Sequence, residues 1–245
     1  MKRFLVILVL VKVLLLSLFL LLILPSYRTV QTSGLDAQSA VSPTPAAADN
    51  INRPTSDPYT GDLSIFEAPE RAKNLQIERV MDILKISGPK TVADIGAGSG
   101  WFTVRAARRV GENGRVFAVE INQSYIDHIT ARAKQENLGN IVGILGTPND
   151  PMLPKDSIDA VLILKTYHEI AEPVRLMKNL RSALHKDALV GIIDRNGNGA
   201  DHGLNKETVI AEAKLAGFSL KEQFDFVKAD GMDYFLVFEV ENRVP

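Results

Sequence analysis

Residues 91–100 read Thr-Val-Ala-Asp-Ile-Gly-Ala-Gly-Ser-Gly, and a helical pattern opens at Trp101. Gly96 and Gly98 permit dihedrals closed to other residues and let a ligand approach the backbone. Gly100 precedes a helix start, whose free N–H groups suit an anionic group. The dinucleotide fingerprint G-x-G-x-x-G would need glycine at 101, where Trp101 stands. Asp94, two residues before Gly96, would repel a pyrophosphate and suits a ligand carrying an ammonium. Twenty residues after Gly100, Glu120 closes the run Val116–Glu120. A carboxylate at a strand tip can accept both hydroxyls of a ribose, or can simply be a solvated or capping acid. Its spacing from the glycine turn favours the ribose.

The D-I-G-A-G-S-G run with the later Val119-Glu120 resembles the class I S-adenosylmethionine-dependent methyltransferases. The closest likeness is to small bacterial members related to the quinone-biosynthesis type, over about residues 65–240. The resemblance implies a seven-stranded, mostly parallel sheet with a final antiparallel strand, and S-adenosylmethionine as cofactor. It implies Asp94 near the methionine part, the backbone of Gly96, Ala97 and Gly98 beside it, Glu120 on the ribose and Ile121 against adenine. It also implies an acid after the third strand for the adenine amino group. Asp150 matches, with Asn149 as the fallback, though Asn, Asp and Pro also cluster in turns for backbone reasons.

Lys165–Glu169 follow a strand ending near Leu164, at the strand end where open α/β sheets bind ligands. His168 is a candidate to orient an acceptor or take its proton, because an imidazole titrates near neutrality. Tyr167 is a candidate to pack on the acceptor or cofactor. The competing reading is that His168 caps the next helix. A polar loop, 194–203, lies on the same face and brings Asp194 and His202 as weaker candidates. No metal site is expected: no His/Asp/Glu trio shows ligand spacing, and His168-Glu169 lacks a second histidine four residues on.

These residues need a frame. Expected strands are Thr91–Ile95, Arg115–Ile121, Ile141–Leu145, Ile158–Leu164 and Leu189–Asp194. Expected helices are Ala68–Ile86, Trp101–Val110, Ser124–Asn137, Pro173–His185 and Lys206–Ala216. Short apolar runs between helices predict a doubly wound α/β sheet covered on both faces. Ser219–Val227 and Tyr234–Val240, around Asp230-Gly231, predict a closing antiparallel hairpin with a reversed strand at one side of the sheet.

Ahead of this frame, Phe4–Leu24 is a 21-residue apolar stretch broken only by Lys12 and Ser17. Its length suits a bilayer span. The alternative is a signal peptide with Val13–Leu24 as its apolar core, although Pro25-Ser26-Tyr27-Arg28, directly after it, holds no A-x-A site. Residues 1–24 therefore read as a membrane anchor or signal. Residues 25–60, with 5 prolines and 10 Ser/Thr, read as a disordered tether, and 61–245 as the domain. Basic residues precede the span, so the domain is expected outside the cytoplasm, anchored or secreted after cleavage.

Residues 1–35 hold four basic side chains and no acid, which leaves 24 basic against 29 acidic groups beyond them. A body at −5 is a poor partner for nucleic acid. The expected partners are a membrane and a small-molecule or lipophilic acceptor. Cysteine is absent, which removes disulfides, cysteine-ligated metal and a cysteine nucleophile. The leading expectation is a membrane-tethered methyltransferase. Its competitors are a non-catalytic sensor on the same fold, favoured by a compartment that does not supply the cofactor, and a nicotinamide oxidoreductase, which Trp101 and Asp94 disfavour.

Overall fold

A computed structural model describes residues 51–55, 59, 61–198 and 202–241. The anchor or signal expected over 1–24 lies outside the described residues. Among them, no helix is long and apolar enough to cross a membrane.

Seven strands form one sheet: β1 (Thr91–Ile95), β2 (Arg115–Glu120), β3 (Ile141–Leu145), β4 (Ile158–Leu164), β5 (Leu184–Arg195), β6 (Phe218–Phe224) and β7 (Asp233–Val240). Their spatial order is β3-β2-β1-β4-β5-β7-β6. Only β7 runs against its neighbours, pairing antiparallel with β5 and β6. The expected hairpin is therefore present, but its reversed strand is internal and β6 forms the edge. The physical reason is burial. The first six residues of β7, Asp233–Phe238, are all buried, whereas four of the seven residues of β6 are exposed.

Side-chain alternation divides each central strand between two cores. Val92, Ala160, Leu162, Phe235 and Val237 face α1 (Arg71–Leu75), α2 (Ile77–Ile83) and α3 (Trp101–Val110). Ala93, Val161, Ile163, Val190 and Ile192 face α5 (Pro173–Arg181) and α6 (Lys206–Leu215). α4 (Gln123–Gln135) packs Ile129 against Ala118 and Ala97. Asn122 caps this helix by accepting from Ser124 N–H.

Two helix expectations need correction. The single helix predicted over Ala68–Ile86 breaks at Gln76, whose φ of 47° is left-handed. Leu75 and Ile77 are both buried. Residues two apart point to different faces of one helix, so the break lets both turn inward. The helix predicted to reach His185 stops at Arg181. His185 stands exposed in β5, with Nδ1 3.2 Å from Asp159 Oδ1.

The domain also begins earlier than residue 61. Arg53 binds the Glu212 carboxylate through Nη1 at 2.8 and 2.9 Å, and donates to the carbonyls of Ile170 and Tyr167. The tether predicted as far as residue 60 thus gives way to packed chain by residue 53.

Candidate functional site

The chain leaves β1 and returns on its other side as β4, so their carboxyl ends diverge at the switch point of the sheet. A cavity of about 640 Å³ opens there, within the range of small-ligand sites. Asp94, Gly96, Ala97, Gly98, Glu120 and Ile121 all line it. Gly100 does not. It forms the left-handed entry to α3, with φ 78°.

The turn is held by β2. Gly96 and Ala97 N–H donate to Val119 O at 2.9 and 3.2 Å. Gly98 N–H donates to Glu120 Oε1 at 2.6 Å, and Ile121 N–H to Oε2 at 3.1 Å. Each carboxylate oxygen keeps a further lone pair for a ligand hydroxyl. Burial raises the Glu120 pKa, and the two N–H donors oppose the shift. Gly96 has φ 71°, and a Cβ there would stand 2.3 Å from Thr166 Cγ2. Only glycine fits.

Asp94 is almost wholly buried at the end of β1. Its Oδ2 accepts from the Thr103 hydroxyl at 2.6 Å. Burial pushes its carboxyl up to about 7, more than Thr103 and the Arg71 charge pull it down. Among the described residues no cation makes an ion pair with it. A buried acid without a basic partner, beside a backbone cradle, fits a ligand ammonium.

An N-terminal turn roofs the cavity. Tyr59, Ile65 and Phe66 line it from that side, and Tyr59 meets Phe66 edge to face at 5.7 Å. Arg132 anchors this roof: Nη1 binds Glu67 Oε1 at 2.6 Å and Ser99 O at 3.0 Å. The Ser99 hydroxyl donates to the same Glu67 oxygen. The Arg71 guanidinium lies over the Trp101 ring at 4.5 Å and reaches the cavity wall. Trp101 is buried and lines the cavity, as the first residue of α3.

The remaining predicted residues fall elsewhere. The Asp150 carboxylate is spent on its own turn, accepting from Met152 N–H at 2.8 Å, and does not line the cavity. Thr147 and Pro148 take that wall. Asn149 Nδ2 donates to Glu172 Oε1. Tyr167 is fully buried beneath Arg53, with its hydroxyl near the Glu212 carboxylate but outside hydrogen-bond geometry. It does not touch the cavity. Residues 167–169 form one 3-10 turn, which sends three consecutive side chains in three directions. Tyr167 goes into the core and Glu169 goes to the cavity.

His168 goes to Asp194. Its backbone N–H donates to Asp194 Oδ2 at 3.0 Å, and Nδ1 meets the two carboxylate oxygens at 2.9 and 3.0 Å. Burial disfavours the imidazolium, but Asp194 and Glu169 together raise the His168 pKa. The expectation of a cavity-facing His168 and Tyr167 is thus replaced by Glu169, Lys165 and Thr166. The expectation that no metal-ligating trio exists also changes. The return of the chain after β5 brings His202 beside Glu169, and ligand atoms of His168, Glu169 and His202 lie within 4.8 Å of one another.

Sequence reasoning missed Arg71, the N-terminal roof and Tyr125, which lines the cavity from α4, because none carries a local motif. Glu169 had a signal, its place just past the tip of β4.

Residues 92–187 match a family profile described as a methyltransferase domain. Over these residues the chain is similar to a methyltransferase domain. The nocamycin O-methyltransferase of Saccharothrix syringae is 31% identical over 83 residues, covering 34% of this chain and 30% of that protein. An uncharacterized methyltransferase of Mycobacterium bovis is 28% identical over 130 residues, covering 53% of this chain and 50% of that protein. The chain thus spans half or less of the length of these curated relatives. A SAM-dependent methyltransferase from Aquifex aeolicus shares the fold, with a TM-score of 0.67 at 20% identity, over 73% of this chain and 96% of that one. Family and fold imply S-adenosylmethionine as the cofactor of the methyltransferase domain.

Proposed function

We propose that this protein transfers a methyl group from S-adenosylmethionine to a lipophilic acceptor, and that residues 1–24 tether it to a membrane. The observation that carries the reading is the paired acids of β1 and β2. Asp94 is buried, with no cationic partner among the described residues, and Glu120 presents a carboxylate already oriented by Gly98 and Ile121 N–H. One suits an ammonium and the other a diol.

The cofactor supplies an electrophilic methyl whose departure leaves a neutral thioether, so no acid is required. What remains for the chain is alignment and exclusion of water. Asp94, the Gly96–Gly98 backbone and Glu120 hold one end of the ligand. Tyr59, Ile65 and Phe66 close over it. Glu169, Lys165 and Thr166 border the other wall, where Glu169 is placed to take a proton from an acceptor that must lose one.

A lipophilic acceptor is supported by the rim. Tyr59, Ile65 and Ile121 line the cavity and are also exposed, by 43, 56 and 46%. Tethering is supported by the length of the Phe4–Leu24 stretch.

The test is calorimetric titration of the full chain with S-adenosylmethionine and with NADH, alongside Asp94→Ala and Glu120→Ala. Binding of the methyl donor alone, lost in both variants, supports the reading. A folded chain that ignores the donor overturns it. For the acceptor, labelled methyl groups should enter membrane extract; equal or exclusive labelling of soluble material would sink the lipophilic acceptor.

A further inference from the structure

His168, Glu169 and His202 come together from two segments that the sequence holds 33 residues apart. His168 Nε2 is 3.1 Å from Glu169 Oε1, and His202 Nδ1 is 3.5 Å from the same oxygen. Ligand atoms sharing one cation through bonds of about 2.0–2.1 Å at tetrahedral angles stand about 3.3 Å apart. Two of the three separations are already there. The third, at most 4.8 Å, closes by a movement of His202, whose side chain is 74% exposed.

Two further features point to a cation. The Asp194 carboxylate can only accept, so His168 Nδ1 carries the proton and Nε2 is the atom turned to Glu169. A ligating histidine is held in this way, by a carboxylate behind its other nitrogen. Glu169 Oε2 is buried, and among the described residues nothing hydrogen-bonds to it. Nε2 facing a carboxylate needs either a second proton or a metal ion between them. A proton leaves Oε2 unanswered, and a chelated cation satisfies it.

We propose that His168, Glu169 and His202 form a binding site for a divalent first-row transition ion, with Asp194 positioning His168. Two imidazoles and one carboxylate suit zinc, cobalt, iron or manganese rather than calcium or magnesium, which prefer oxygen donors. Three protein ligands leave coordination positions open. Glu169 lines the cavity, so the ion borders it. On the methyl-transfer reading, those positions would take the acceptor oxygen, and the ion would then replace Glu169 as the group that eases loss of the acceptor proton. The ion-binding inference stands independently of that use.

The test uses the full chain, untagged and freed of metal with a chelator, titrated with Co²⁺ by visible absorption and with Zn²⁺ by calorimetry. One equivalent should bind, with ligand-field bands of an imidazole–carboxylate site. His202→Ala and Glu169→Gln should each weaken binding at least tenfold. His202 is exposed, so its removal leaves folding intact, which circular dichroism verifies. His128, exposed on α4, and His185 lie outside the cluster, so His128→Ala and His185→Ala should change nothing. Absence of saturable binding overturns the inference, as does undiminished affinity in His202→Ala or loss in His185→Ala. The same samples titrated with S-adenosylmethionine separate the two readings. Donor binding by a chain that ignores Co²⁺ defeats only this inference, and the reverse result defeats only the methyl-transfer reading.

Discussion

Replacing Asp94 with asparagine should stabilise the ligand-free protein while damaging its site. The carboxyl is raised from 3.8 to about 7 by burial. Between those values the folded state holds a proton that the unfolded state has released. Stability is therefore fully present below pH 3.8 and is lost as the pH rises to about 7. Three pH units at about 1.4 kcal/mol each make the loss about 4 kcal/mol above pH 7. Asparagine is neutral throughout, and its side-chain oxygen can still accept from Thr103. Asp94→Asn should therefore unfold ~10 °C above the wild type at pH 8. The advantage should shrink to under half at pH 5 and vanish near pH 4. Thermal and urea unfolding across pH 4–8.5 would measure it. S-adenosylmethionine affinity of the wild type should climb with pH and level off near 7, because binding must first strip the Asp94 proton. The variant should bind weakly and without that pH dependence. An Asp94→Asn protein no more stable than wild type at pH 8 would refute the account of this acid.

Three other outcomes follow from single contacts. Glu120→Ala should weaken donor binding by ~10–100-fold in calorimetry, since hydrogen bonds to a charged group contribute about 1.5–3 kcal/mol each. Gly96→Ala should abolish donor binding and cost ~2 kcal/mol or more in urea unfolding, because positive φ and the Thr166 clash act together. Thr166→Ala added to it should recover only the steric part. Arg53→Ala strands the buried Glu212 carboxylate and should cost about 3–5 kcal/mol in urea unfolding, and adding Glu212→Gln should return part of it.

Local rules made most of the frame legible. β1, β3, β4 and α3 stand where apolar runs and glycine stops place them, because pairing and helix periodicity act over a few residues. The glycine turn, Asp94 and Glu120 were legible for the same reason: strand tip, turn and helix start are contiguous, and the next strand tip follows at a set spacing. The misplaced residues lie where one backbone step redirects a side chain. The 3-10 turn after β4 sent Tyr167 inward and gave the cavity to Glu169. The turn after β3 consumed Asp150.

The amino-acid order by itself determined the sheet class, the glycine turn that lacks a dinucleotide fingerprint and the two acids that line the cavity. Only the tertiary structure decided that Arg53 clasps Glu212 and that His202 meets His168 and Glu169. It alone decided that β7 inserts between β5 and β6. Each of these joins residues far apart in the chain. Such contacts form only when the sheet closes, and the entropy of that closure is offset by burial of both its faces rather than by any local preference.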